Sequence, residues 1–339
     1  MQKKLRLVVL DGYTVNPGDN PWDKLAELGD LTVYDRTGSE DIIARAQDAD
    51  VVITNKTPLR AETIDKLPRL RCIGILATGY DVVDAAYAGK KGIPVMNVVQ
   101  YGADAVAQHA MALLLELCRR PAAHDASIRA GQWSECPDFC YWLTPQIELT
   151  GLTMGIIGFG AIGRRVGALA HAFGMKVLAA SARMSGAEAK ERAKTAADPG
   201  FPVEYTDLDE LYARADVISL HCPLSEQTHH LIDASSLARM KDGVLLINVA
   251  RGPLLDEEAV ASALQSGKLG GLGADVVSEE PIRPNNALLA APNAILTPHI
   301  AWAGLKARQN IVSLLAANIA SWLAGSPRSL VNAEQLRQQ

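Results

Sequence analysis

Positive charge is not in surplus in this 339-residue chain: 33 Lys and Arg stand against 38 Asp and Glu, a net charge of -5. Binding to a phosphate backbone rests on a Lys/Arg excess, so nothing favours a nucleic-acid partner. Long apolar runs are missing too; none approaches the about 20 residues that cross a bilayer, and no membrane association is expected. The opening MQKKLRLVVLDGY has lysines before an apolar run, but that run stops at Asp11. It is too short for a signal-peptide core and reads as a first strand. Cysteines are few and odd in number, at 72, 118, 136, 140 and 222. Cys136 and Cys140 lie four apart with no second pair or nearby His, so no metal site is expected. Reduced thiols and a cytoplasmic location are the plain reading. Repeats and low-complexity segments are absent. Hydrophobic residues at 48% and charged residues at 21% are ordinary globular values, and the length argues for two domains.

What is present is alternation. The runs 5–10, 31–35, 51–55, 71–76 and 93–98 read as strands of a first unit. A long helix pattern follows over 104–120, bounded by Pro121. A second strand series reads 153–158, 175–180, 216–221, 243–248, 273–277 and 294–298. Helical stretches lie between, such as 256–267 with an acidic first turn and a terminal Gly267. This is an α/β pattern of two doubly wound parallel-sheet units, with a boundary near residue 100. A last helix pattern, 304–325, has no strand after it, and periodicity does not say which unit it covers.

GIIGFGAIGRRVG places Gly158, Gly160 and Gly163 after a strand and at the start of a helix. The first glycine permits a tight turn and the second lets backbone approach a pyrophosphate. The third lets helix and strand pack closely, while the helix start offers N–H donors. About twenty residues on, a dinucleotide site usually places an Asp or Glu for the ribose hydroxyls. GMKVLAASARMSG has Ser181, Ala182 and Arg183 there, with no acid before Glu188. Ser181 can hydrogen-bond a 2′-phosphate and Arg183 can pair with it, which favours NADP(H). In the alternative, NAD(H) binds without its usual carboxylate and Arg183 is a solvated surface arginine.

Three strand ends carry reactive residues: Arg251 in INVARG, Glu280 in GADVVSEEP and His299 in TPHIAWAG. Ligands of open α/β sheets sit at such ends. The set suits hydride transfer to a 2-oxo acid. Arg251 can hold the carboxylate and polarise the carbonyl. His299 can donate the proton, and an ionised Glu280 beside it favours the imidazolium. Taken singly, each residue has an ordinary structural alternative; the ordered set after a nucleotide turn is what points to chemistry.

The ordered motifs GFGAIG, CPL at 222–224, NVARG, GADVVSEEP and TPHIAWAG resemble those of the D-isomer-specific 2-hydroxyacid dehydrogenases, as do LATGYDVVD at 76–84 and NVVQYGADAVAQHA at 97–110. DGYTVNPGD, PDFCYW and PHIAWA add a closer likeness to the glycerate dehydrogenase branch. The resemblance implies two Rossmann-like or flavodoxin-like domains with the active site in the cleft between them. Residues 1–101 with 297–330 would form a discontinuous substrate-binding domain, and 102–296 the dinucleotide-binding domain. It implies Arg251, Glu280 and His299 as catalytic residues, with Arg251, His299 and the backbone at Thr78 and Gly79 binding substrate. Ala161 and Ile162 would contact the pyrophosphate, Val106 the cofactor and Cys222 the adenosine side. Val249 and Asp275 would border the nicotinamide, with Asp275 hydrogen-bonding its amide. The implied reaction is reduction of hydroxypyruvate or glyoxylate to D-glycerate or glycolate by a homodimer. Two positions depart from the family pattern: Ser181, where NAD-using members generally carry Asp, and Cys222, where Thr is common.

Other residues carry weaker signals. His109 reads as a packed or interface histidine and His221 as a hydrogen-bonded structural one. His229 and His230 are adjacent, with diverging side chains, and make no metal pair. Trp133, Phe139 and Trp142 form either a buried intrachain cluster or, by family likeness, a dimer interface. A 3-phosphoglycerate or other 2-hydroxyacid dehydrogenase, a formate dehydrogenase and a corepressor-like dinucleotide sensor are the rival readings. Formate dehydrogenases of this scaffold place Gln with the histidine, which Glu280 argues against. The phosphoglycerate enzymes commonly add a regulatory domain, and the sensors peptide-binding adaptations and tails.

Overall fold

The computed structural model describes residues 4–182, 185, 187, 188, 191, 195 and 198–338. The chain divides into two compact units, residues 1–102 with 302–339 and residues 103–301.

The first unit holds five described strands: β1 (Arg6–Val9), β2 (Asp30–Val33), β3 (Val51–Thr54), β4 (Cys72–Ile75) and β5 (Val95–Met96). All pairings are parallel, in the order β2-β1-β3-β4-β5, which is a flavodoxin-like order. β3 and β4 are buried along their whole length. Continuous apolar runs are expected of parallel strands covered on both faces. One face packs Val8, Val52 and Ile73 with Ile42, Ile64 and Ala88. The other packs Leu7, Ile53 and Met96 with Ile311, Leu315 and Ile319 of the helix Leu305–Leu323. That helix can seat closely because Gly74 has no side chain: a β-carbon there would lie 3.1 Å from a Leu315 methyl.

The second unit holds β6 (Thr153–Ile157), β7 (Lys176–Ala180), β8 (Glu204–Tyr205), β9 (Val217–Leu220), β10 (Val244–Asn248), β11 (Leu269–Ala274) and β12 (Ala294–Leu296). The described sheet runs β12-β11-β10-β9-β6-β7-β8 and is parallel throughout. Counted from β6, this is the dinucleotide-binding order 3-2-1-4-5-6 with one further strand. Its topological switch point lies between β6 and β9.

In this sheet β8 and β11 differ from the sequence reading. β8 is a two-residue edge strand that no pattern signals. β11 begins at Leu269 rather than 273 and ends before Asp275. Its LGGLGA run has low strand propensity, and its glycines answer to a helix instead. Ala103–Arg119 lies against β11, where a β-carbon on Gly271 would come within 2.8 Å of Leu117 Cδ2 and one on Gly273 within 2.8 Å of Leu113 Cβ. The helix Glu257–Ser266 forms as its acidic start predicts, with Asp256 accepting from the Ala259 amide and Gly267 closing at φ 78°.

Candidate active site

The glycine turn sits at the switch point. Gly158 has φ 98°, a conformation that side chains resist. A β-carbon there would lie 2.5 Å from the Cys222 amide nitrogen at the end of β9. Gly160 caps the helix Ala161–Ala172 and has open space around its α-carbon, and no side chain caps the helix start. Gly163 is pressed against the Gly158 carbonyl. Tight turn, open approach and close packing therefore fall on the first, second and third glycines, an arrangement that fits a dinucleotide pyrophosphate. Ala161 and Ile162 open the helix beside it.

Val106 and Val249 are each 9% exposed, and Cys222, whose amide backs onto Gly158, 6%. Burial pushes the Cys222 thiol up to about 11, so it is no thiolate at neutral pH. Next to it, burial holds the His221 imidazole down at about 3, with Ser219 Oγ 2.8 Å from His221 Nε2. Ser181 directly follows β7 and is half-buried. Arg183 lies outside the described residues.

Arg251 is carried by the turn after β10. Fully buried Asn248 shapes that turn, its Nδ2 donating to the Arg251 carbonyl at 2.9 Å and its Oδ1 accepting from the Ala250 amide at 3.1 Å. Arg251 itself is exposed, its Nη1 donating to the Ala250 carbonyl at 2.6 Å. Gly252 backs directly onto the Val277–Ser278 peptide, so a side chain at 252 would collide with the loop that leads to Glu280.

His299 and Glu280 meet. His299 Nδ1 stands 2.7 Å from Glu280 Oε2, with the side chains 30% and 37% exposed. The pair is thus hydrogen-bonded yet open to a small molecule. His299 occupies the left-handed backbone region, φ 55°. Its amide donates to the Asp275 carbonyl at 2.8 Å and the Thr297 carbonyl at 3.0 Å.

Asp275 is 1% exposed. Its Oδ1 accepts from Thr297 Oγ1 at 2.6 Å and the Ile300 amide at 2.8 Å, and its Oδ2 from the Ala301 amide at 2.8 Å. Burial pushes this carboxyl up, but hydrogen bonds from His109, Thr297 and the Ala301 and Ile300 amides outweigh it and hold the group below the ordinary carboxylate value. The geometry turns Asp275 toward the loop that carries His299. The sequence reading missed this use, and missed His109, whose Nε2 lies 2.9 Å from Thr297 Oγ1. The available signal was the alternation Gly271, Gly273, Asp275 set against the four-residue spacing Leu117, Leu113, His109.

In the first unit the loop after β4 carries Thr78 and Gly79. Asn97 Nδ2 donates to the Thr78 carbonyl at 2.7 Å, and Thr78 Oγ1 to the Val98 carbonyl at 2.8 Å, which fixes the loop's backbone. Among the aromatics of 131–143, Trp133 is 49%, Phe139 89% and Trp142 69% exposed, so they do not form a buried intrachain cluster. His229 and His230 do not diverge as expected; their rings stack at 4.0 Å, with His230 at φ 50°.

A glycine turn at the switch point of a 3-2-1-4-5-6 sheet, with Arg, Glu and His on neighbouring strand-end loops, defines the class: a dinucleotide-binding α/β oxidoreductase. Residues 111–301 match the model of the D-isomer specific 2-hydroxyacid dehydrogenase NAD binding domain. The chain is 46% identical over 331 residues to a hydroxypyruvate reductase of Blautia hydrogenotrophica, covering 97% of this chain and 100% of that one. It is 40% identical over 297 residues to a glycerate dehydrogenase of Methylorubrum extorquens, covering 87% and 89%. It is similar in structure to an acyclic imino acid reductase in complex with NADPH and D-Arg, with a TM-score of 0.81, 30% identity and coverage of 96% and 100%. The chain belongs to the D-isomer specific 2-hydroxyacid dehydrogenase family.

Proposed function

We propose that this enzyme reduces a small 2-oxo acid, hydroxypyruvate or glyoxylate, to the D-2-hydroxy acid, with His299 as proton donor. The observation that carries the reading is the 2.7 Å contact between His299 Nδ1 and Glu280. A carboxylate on Nδ1 orients the ring and leaves Nε2 for the substrate oxygen. When bound, a reduced nicotinamide supplies the hydride. Nε2 gives up its proton as the carbonyl becomes an alkoxide, and takes one in the reverse direction. The guanidinium of Arg251 pairs with the substrate carboxylate and polarises the carbonyl. Backbone amides at Thr78 and Gly79 bind the same carboxylate. The substrate class is supported by the names of the similar hydroxypyruvate reductase and glycerate dehydrogenase.

NADP(H) is the favoured cofactor and NAD(H) the alternative. Ser181 stands where an acid would repel a 2′-phosphate, and the similar imino acid reductase binds NADPH. Gly158, Gly160, Ala161, Ile162 and Gly163 would hold the pyrophosphate. Val106 would contact the cofactor, Val249 and Asp275 would border the nicotinamide, and Cys222 would lie on the adenosine side. The exposed Trp133, Phe139 and Trp142 support a homodimer interface. Five free cysteines suit the cytoplasm. We assign the first unit to substrate binding and the second to the dinucleotide.

Oxidation of NADPH and of NADH, each measured with hydroxypyruvate, glyoxylate, pyruvate and formate, tests the reading. Reduction of the first two is expected; reduction of no 2-oxo acid with either cofactor overturns it.

A further inference from the structure

His299 is mounted on an unfavourable piece of backbone. A non-glycine residue in the left-handed region is disfavoured and persists only where its surroundings over-determine it. The surroundings here are Asp275 and Thr297. The Asp275 carboxylate takes the amides of Ile300 and Ala301, the two residues after His299, and the Asp275 carbonyl takes the His299 amide. If Asp275 swings away, the left-handed turn loses its support and the imidazole loses its aim.

Asp275 is held in turn by Thr297, and the direction of that bond can be deduced. An ionised carboxylate only accepts, so the single Thr297 hydroxyl proton goes to Asp275 Oδ1, 2.6 Å away. The Thr297 oxygen is then left as an acceptor, and the ring nitrogen facing it at 2.9 Å, His109 Nε2, must carry a proton. A relay of donors thus runs from His109 to Thr297 to Asp275, with His109 Nε2 also 3.4 Å from Asp275 Oδ1.

The placing of His109 is a matter of register. Four residues of helix rise about 6 Å and two of strand about 6.6 Å, so the two advance together. Leu117 faces Gly271 and Leu113 faces Gly273. The next step in each series brings His109 to Asp275. The glycines let the helix approach so near that a histidine, not a longer side chain, spans the remaining gap.

We propose that His109, acting through Thr297, is a positioning residue for His299: it closes the hydrogen-bonded chain that holds loop 297–301 in the left-handed turn carrying the proton donor. The role rests on the reading of His299 as the donor, and it extends the working site to the middle of helix Ala103–Arg119.

The test has a kinetic arm and a spectroscopic arm. Thr297→Val keeps the shape and removes the hydroxyl, and His109→Leu removes the ring donor. Each should lower kcat about 10- to 100-fold, the scale of a misplaced reacting group. KM for the 2-oxo acid and Kd for the cofactor should stay within about threefold, as for an interaction felt in the transition state. Thr297→Ser and His109→Gln, which restore a hydroxyl and an N–H donor, should recover most of the turnover. The double variant His109→Leu, Thr297→Val should be no slower than Thr297→Val alone, because the two act in series. In the second arm, histidine-labelled protein is followed by NMR, with the His299 resonance assigned through His299→Ala. That resonance should move in the two disabling variants and return in the two conservative ones, whether or not the right substrate is in hand. Wild-type turnover in the disabling variants, failure of the conservative ones to restore it, fully multiplicative losses or an unmoved His299 resonance would each overturn the proposal. An inactive wild type with a responsive His299 resonance would instead overturn the functional reading and leave the positioning relay standing.

Discussion

His299 and Glu280, nineteen residues apart on loops that follow β12 and β11, are joined by a 2.7 Å contact between Nδ1 and Oε2. On the proposed reading the carboxylate addresses the ring nitrogen away from the substrate, so Nε2 is both oriented and left to work. Removing only the charge isolates its part. Glu280→Gln keeps a hydrogen-bonding oxygen but not the negative charge beside the ring, and should lower kcat by about 10–100-fold, at or below the lower end of what general acid catalysis contributes. Steady-state kinetics check this, with cofactor affinity from nicotinamide fluorescence expected to hold.

Arg251→Lys preserves charge and discards the planar fork. The substrate KM should rise and kcat fall together, since both carboxylate binding and carbonyl polarisation lose geometry. Kinetics indistinguishable from wild type would remove Arg251 from the substrate.

On the proposed reading cofactor choice turns on Ser181 and Arg183, which follow β7. Ser181→Asp places a negative charge where a 2′-phosphate would sit and should shift kcat/KM toward NADH; Arg183→Ala should weaken NADPH selectively. A wild type with equal or better kcat/KM for NADH would return Arg183 to the solvated surface.

The His221 imidazole makes acid stability informative. Its folded value of about 3 lies below the ordinary 6.5, so between those values the unfolded chain binds a proton that the folded chain refuses. His221 is therefore compatible with full stability above about pH 6.5 and takes stability away as pH falls below it. Thermal melts should show Tm dropping over that window, and His221→Gln should flatten the drop. An equally steep drop in the variant would place the acid sensitivity elsewhere.

Much of this was legible because it is local. Gly158, Gly160 and Gly163 announce a turn whose three demands fall within six residues, and Arg251, Glu280 and His299 each close a strand or follow one. The register of β11 was not legible: Gly271 and Gly273 depress strand propensity, and their reason is the approach of Leu117 and Leu113 from a helix some 150 residues earlier. His109 was obscured for the same cause. Within its own helix it is one polar residue on an apolar face. Only the helix-to-strand register gives it Thr297 and Asp275 as partners. The segment 131–143 offered aromatics without a direction, and exposure of Trp133, Phe139 and Trp142 supplied one.

The central claim is that His299 moves the proton while the rest of the site binds. Reduction of hydroxypyruvate by wild type and His299→Ala, with NADPH and NADH affinity measured on the same preparations, tests it most directly. The account predicts a loss of turnover of about 100-fold or more in the variant with cofactor binding retained. Near-wild-type turnover by His299→Ala would contradict it.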